Sequence, residues 1–202
     1  NDIFLFDNVF YFTINIPKKT SILNIGKTSS YLSKIFTDED FHFTNSTLQN
    51  VNYNLIPSQQ LLILNQLKNI PSILGKTILD FVENGGHLLI IPNQKIKISS
   101  YNSFFKKINS GTILNRITNS LKITTINFQH PLFSEVFIKE ITNFQYPSAT
   151  ISYKNTLQGN TILSFENKTP FLQEITNPFS SSFSLGFLSL SNFIFFLTAE
   201  VN

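Results

Sequence analysis

Side chains able to do chemistry are few in this sequence, and they stand apart from one another. There is no cysteine, which excludes disulfides, thiolate metal sites and a cysteine nucleophile. The three histidines, His42, His87 and His130, have no carboxylates at a ligand spacing, so no metal site is predicted. His42 and His87 read as strand residues. His130 opens a His-Pro loop and reads as an imidazole bonded to backbone. Asp38-Glu39-Asp40 is the one acidic cluster and reads as a solvated loop before a strand, with weak divalent-cation binding the less favoured alternative. Ser99 or Ser100 with His130 is the nucleophile–base pairing on offer, but both serines read as loop residues and no nucleophile-elbow pattern surrounds them. Gly85-Gly86 precedes an apolar stretch, whereas a phosphate cradle follows a strand and opens a helix. The expectation is therefore no catalytic, cofactor-binding or metal-ligating residue.

Composition narrows the partners. The chain has 202 residues, 42% of them apolar, a net charge of +3 and only 13% charged residues. That is enough for one domain with a full core. Lys18-Lys19, Lys95, Lys97 and Lys106-Lys107 are scattered, and Arg116 is the sole arginine. Nucleic acid is not an expected partner, because no basic run is present. The chain begins at Asn1 and contains no Met, so it reads as a piece of a longer protein whose targeting signal lies elsewhere. The uncharged run Phe183–Ala199 is short for a bilayer span and is broken by Gly186 and by Ser191-Asn192, so it reads as two strands.

Positioning falls to an alternation of strands and helices. Ser21–Ile25 is a short apolar strand. Ser29 or Ser30 caps a helix with apolar residues Tyr31, Leu32, Ile35 and Phe36. Asp40–Thr44 and the wholly apolar Leu61–Asn65 follow as strands. Pro71-Ser72 opens a helix with the stripe Ile73, Leu74, Ile78, Leu79, Phe81 and Val82. Asn84-Gly85-Gly86 closes it, Gly85 taking the left-handed position, and His87–Pro92 is the next strand. Such alternation with short connections predicts a parallel sheet with crossover helices. Further on, Tyr101–Ile108 reads as a helix, and Lys122–Phe128, Ala149–Tyr153, Thr161–Phe165 and Asn192–Thr198 as strands, some antiparallel. Val9–Ile16 alternates like a strand after the Asp7-Asn8 turn. Residues 1–19 are thus expected to end a β-rich unit and link it to an α/β domain over 20–202.

Three stretches carry a family resemblance: Phe6–Gly26 (FDNVFYFTINIPKKTSILNIG), Leu61–Asn93 (LLILNQLKNIPSILGKTILDFVENGGHLLIIPN), and His130–Phe137 (HPLFSEVF) followed by Thr142–Pro147 (TNFQYP). In order and spacing they resemble the C-terminal extracytoplasmic region of bacterial aerotolerance-regulator membrane proteins with a BatA-type N-terminal domain. The resemblance covers most of Phe6–Phe171, and beyond it only Asn192–Asn202 resembles a late strand, so the end of the domain reads as incomplete. It implies a three-layer flavodoxin or class I amidotransferase-like α/β fold with a mostly parallel sheet, preceded by a β-rich segment. Active amidotransferases present a Cys on the turn after the strand equivalent to Leu88–Pro92. Here that turn is Pro92-Asn93-Gln94: Pro92 has no N–H for an oxyanion, and Asn93 is a poor nucleophile. Leu132 stands where the His-Pro-Glu element of glutaminases has its carboxylate, which leaves His130 without a group to orient it. The resemblance thus implies a non-catalytic binding or scaffold domain, without cofactor, of a membrane-anchored cell-envelope protein. Its partners would be other cell-envelope proteins, at the periplasmic or extracytoplasmic face of a bacterial inner membrane. The alternative is a hydrolase or amidotransferase relative with a non-Cys active site.

Overall fold

The computed structural model describes residues 18–133, 147–175 and 194–199. The expected β unit at Val9–Ile16, the stretch Thr142–Tyr146 and most of Phe183–Ala199 lie outside these residues.

In chain order the elements are β1 (Thr20–Gly26), α1 (Ser30–Ile35), β2 (Phe41–Ser46), β3 (Leu61–Leu67), α2 (Ser72–Glu83), β4 (His87–Pro92) and α3 (Ile98–Lys107). Then come β5 (Ile113–Ile117), β6 (Leu121–Ile126), β7 (Ser148–Ala149), β8 (Ser152–Asn155), β9 (Gly159–Phe165), β10 (Pro170–Ile175) and β11 (Ile194–Leu197). One large sheet runs β2-β1-β3-β4-β11-β10-β9-β6-β7. From β2 to β11 each neighbouring pair is parallel, and from β11 to β7 each is antiparallel. β5 and β8 pair separately. The expected parallel sheet is present: Ser21–Ile25, Leu61–Asn65 and His87–Pro92 fall in the adjacent parallel strands β1, β3 and β4.

Strand alternation sends side chains to two faces. On the first face Leu23, Ile25, Leu62, Leu64, Leu88, Ile90 and Phe196 pack against Leu74, Ile78, Phe81 and Val82 of α2 and Tyr101, Phe104 and Phe105 of α3. Leu62, Leu64, Leu88 and Ile90 are wholly buried; burying one such side chain contributes roughly 1.5–3 kcal/mol. On the second face Ile22 and Ile63 meet Leu32 of α1, with Phe36, Phe41, Phe43, Leu89 and Ile91 around them. Helices thus flank the parallel half on both faces.

Several expectations need correction. α1 has six residues, and of its apolar residues only Leu32 is buried; Tyr31 and Ile35 are exposed, since so short a helix covers the sheet along a single line. Ser29 is the N-cap by backbone but makes no side-chain cap bond. Ile73, placed on the apolar stripe of α2, points to solvent because it lies in the first turn, off the buried row Leu74, Ile78, Phe81 and Val82. Ser99 and Ser100 lie in the first turn of α3, not in a loop. Strands β5 and β10 add to those expected, and the single strand expected at Ala149–Tyr153 is divided between β7, which pairs with β6, and β8, which pairs with β5. As expected, α2 closes at Asn84, and Gly85 takes φ 101°. Gly86 is required by packing: a Cβ there would lie 2.1 Å from the Phe81 ring.

Candidate functional site

In an open α/β sheet the ligand crevice lies at the carboxyl ends of the parallel strands, where the strand order reverses. Here β1 lies between β2 and β3, so that point lies between the carboxyl ends of β1 and β3. The chain's own loop is bonded across it. The Lys27 N–H donates to the Asn65 carbonyl at 2.9 Å. The Lys27 carbonyl accepts from Asn65 Nδ2 at 2.7 Å and from Asn24 Nδ2 at 3.1 Å, and Asn24 Nδ2 also reaches Asn45 Oδ1 at 2.8 Å. Asn24 and Asn65 are buried, so these amides satisfy backbone groups that would otherwise be stranded. Gly26 makes the approach feasible: its φ is 126°, and a Cβ would lie 2.1 Å from the Asn65 carbonyl oxygen.

The turn after β4, where a nucleophile would stand, is tied just as firmly. Asn93 Oδ1 accepts from the Lys95 N–H at 2.9 Å. The Tyr153 hydroxyl, carried by β8, donates to the Asn93 carbonyl at 2.8 Å and accepts from the Ile96 N–H at 3.1 Å. Burial raises the Tyr153 phenol pKa, against smaller lowering effects from the Ile96 bond and Arg116. Tyr101 of α3 is wholly buried, donates to the Leu67 carbonyl at 2.8 Å, and is likewise raised, by burial first and Tyr153 second. The Asn93 amide is committed to a local turn and faces no base among its described contacts.

The serine alternatives are spread out. Ser100 Oγ donates to the Ile70 carbonyl at 2.9 Å and accepts from the Ile70 N–H at 3.0 Å, tying α3 to the segment after β3. Ser99 lines an open groove with Asn102, Lys106 and Thr112. Both are on α3, which packs on the first face, whereas His130 borders a groove on the second face beside Ile22, Leu61 and Phe195. The structure does not bring Ser99 or Ser100 to His130. Asp38, Glu39 and Asp40 are exposed. The Asp38 carbonyl accepts from Lys19 Nζ, and the Asp40 carbonyl accepts from the Thr20 N–H.

His130 requires the main correction. It is not without an acidic partner: Nε2 lies 3.1 Å from Glu174 Oε2. That carboxylate oxygen also accepts from Asn160 Nδ2 at 3.1 Å. Nδ1 of His130 accepts from the Leu132 N–H at 3.2 Å, so the ring proton that faces Glu174 belongs on Nε2. Both ring nitrogens are then engaged, and no lone pair remains to take a proton from a nucleophile. The expected backbone bond is present; Glu174 was missed because it lies 44 residues further along. Strand register carries it in: Asn160 pairs with Glu174, and Glu174 with Phe195, so these side chains share the second face.

The groove beside them has a volume of about 620 Å³. It is walled by Ile22, Phe36, Phe41, Leu61, Leu132 and Phe195, with Gln60, His87 and the His130–Glu174 pair supplying polar groups. Partial burial lowers the His87 pKa. A second cavity of about 480 Å³, on the α2 side, includes Gln60, His87, Phe81 and Gly86. Both lie at the amino ends of β3 and β4, opposite the carboxyl-end crevice of an open α/β sheet.

No family model and no curated protein matches this chain. Solved structures do. A ThuA-like protein from Bacteroides uniformis superposes with a TM-score of 0.58 at 11% identity, covering 95% of this chain and 87% of that one. The mmIFT52 N-terminal domain gives 0.59 at 9% identity, covering 89% and 86%. A GH42 β-galactosidase, Gan42B of G. stearothermophilus, gives 0.58 at 8% identity, covering 92% of this chain but 28% of the enzyme. At these identities the likeness is one of fold: a mixed α/β domain with a large central sheet.

Proposed function

We propose that this chain is a non-catalytic binding or scaffold domain of the class I amidotransferase-like kind. In this reading it belongs to a membrane-anchored cell-envelope protein of the aerotolerance-regulator type, facing the extracytoplasmic side of a bacterial inner membrane. The observation that carries the non-catalytic part is the turn after β4: the Tyr153 hydroxyl and the Asn93 amide are both spent on backbone groups there. A nucleophile turn needs a free nucleophilic atom beside a base and N–H donors aimed at an oxyanion; this one offers Pro92, a committed amide and, among the described contacts, no base. The domain's contribution is then a rigid surface for other cell-envelope proteins, since fold alone dictates no chemistry.

Two measurements test the reading. Glutaminase and esterase assays on the domain should give no turnover above buffer; turnover abolished by Asn93→Ala, Ser99→Ala or His130→Ala would overturn it and revive the hydrolase alternative. The full-length protein should fractionate with membranes and retain envelope proteins in a pull-down. Recovery in the soluble fraction alone would overturn the membrane-anchored part.

A further inference from the structure

The groove on the second face poses a charge problem. Glu174 is only 13% exposed at its side chain, and His130 only 8%. A carboxylate so largely withdrawn from water is favoured by a nearby cation. Among the described residues its partners are Asn160, which is neutral, and His130. If His130 were protonated, Nδ1 would carry a proton and could not accept the Leu132 N–H that it faces at 3.2 Å. With that bond made, the ring carries its proton on Nε2 and brings no cation to the carboxylate. No described lysine or arginine lines the groove. The walls on the other side are apolar: Ile22, Leu61, Phe36 and Phe195. A concave apolar space of this size with a few convergent polar groups is the usual form of a small-molecule site.

We propose that this groove binds a small amphiphile with a cationic, hydrogen-bond-donating head and an aliphatic or aromatic body. The head, an ammonium or amidinium, sits at Glu174 and supplies the missing charge; the body lies along Ile22, Leu61 and Phe195. The Nε2-protonated tautomer of His130 is what makes the site select a cation, because it positions the carboxylate without neutralising it. An anionic head would meet the carboxylate charge, and a neutral head would leave it uncompensated. The proposal rests on the non-catalytic reading in one respect: the ligand is held and released unchanged.

The test uses the intact chain and three octyl probes: n-octylammonium, 1-octanol and octanoate. In ¹⁵N-resolved titrations n-octylammonium should move the Leu132, Asn160 and Glu174 amide signals and bind at least about tenfold more tightly than 1-octanol, the margin of a charge-assisted hydrogen bond. Octanoate should bind more weakly than either. Glu174→Gln, which keeps the shape of the side chain, should remove the preference for the ammonium and leave 1-octanol binding intact. Equal binding of n-octylammonium and 1-octanol would overturn the proposal, as would a preference that survives Glu174→Gln. If that variant does not fold, the wild-type titration still decides: shifts confined to residues away from the groove overturn it. Loss of this binding would leave the non-catalytic reading standing, whereas chemical conversion of a probe would sink that reading.

Discussion

Tyr153→Phe removes a single oxygen and tests whether the turn after β4 is held as described. The ring stays in place, packed in the first-face core with 4% exposure. Two hydrogen bonds are lost, one to the Asn93 carbonyl and one from the Ile96 N–H. Each contributes a net ~0.5–1.5 kcal/mol, so the variant should lose about 1–3 kcal/mol. For a domain of this size that lowers Tm by roughly 4–8 °C around the middle of the range. Urea denaturation measures the total, and hydrogen exchange locates it. The Ile96 amide should lose about two- to tenfold protection beyond the global change, corresponding to the one net bond it gave up. Lys95, whose N–H is held by Asn93 Oδ1 rather than by the tyrosine, should change less. A Tm within about 1 °C of wild type together with unchanged Ile96 exchange would refute the pinned turn. The structural case against a reactive turn would fall with it.

Gly26→Ala should cost more than about 2 kcal/mol in denaturant titrations, because it combines a left-handed φ with a Cβ driven against the Asn65 carbonyl. Ile90→Asp places a carboxylate at a wholly buried position of β4 with no partner, and should abolish cooperative unfolding by circular dichroism. Alkali should also destabilise the domain. The Tyr101 and Tyr153 pKa values lie above their ordinary 10.0 in the fold. The folded state then keeps protons that the unfolded chain loses: this contribution is complete below pH 10.0 and disappears as pH rises through the folded values. The denaturation midpoint should fall from about pH 10 upward, and less steeply in Tyr153→Phe.

The parallel half was legible because its signals are local. Ile22, Leu62, Leu64, Leu88 and Ile90 fall in short apolar runs, and Asn84-Gly85-Gly86 ends α2 by turn chemistry that a sequence displays openly. The antiparallel half was harder. β10 (PFLQEI) carries a proline, a glutamine and a glutamate, so it does not read as a buried strand. Yet Gln173 is buried and Glu174 nearly so, because β10 is enclosed between its hairpin partner β9 and β11, which comes from further along the chain. The exposure of Tyr31 and Ile35 was illegible for a related reason: periodicity shows which residues share a helix face, but not how wide a surface opposes it. His130 was correctly read as backbone-bonded, while its acidic partner is fixed by strand register, which no local pattern reports.

The two ends of the parallel strands differ in a way that bears on function. At the carboxyl ends, three asparagines, Asn24, Asn45 and Asn65, bond to one another or to the Lys27 backbone. An asparagine amide can substitute for a peptide group in such a lattice, and inside a sheet its desolvation is tolerable only when it is hydrogen-bonded. The amide N–H groups of Asn24 and Asn65 are therefore engaged in holding the chain's own loop and its neighbours, while among the described residues Asn24 Oδ1 is the one buried atom of these amides left without a partner. At the amino ends the arrangement is reversed: among the described residues no lysine or arginine meets the Glu174 carboxylate, which stands beside the apolar walls of the groove. Binding energy comes from groups whose needs the fold has left unmet, since a satisfied hydrogen bond gains little by exchange. On that ground a ligand or partner should be sought at the amino-end groove and not at the crevice that strand topology alone would nominate. Asn65→Ala should therefore lower stability while leaving n-octylammonium affinity unchanged. An affinity loss in that variant at full occupancy of the folded state would place the binding site at the carboxyl ends after all.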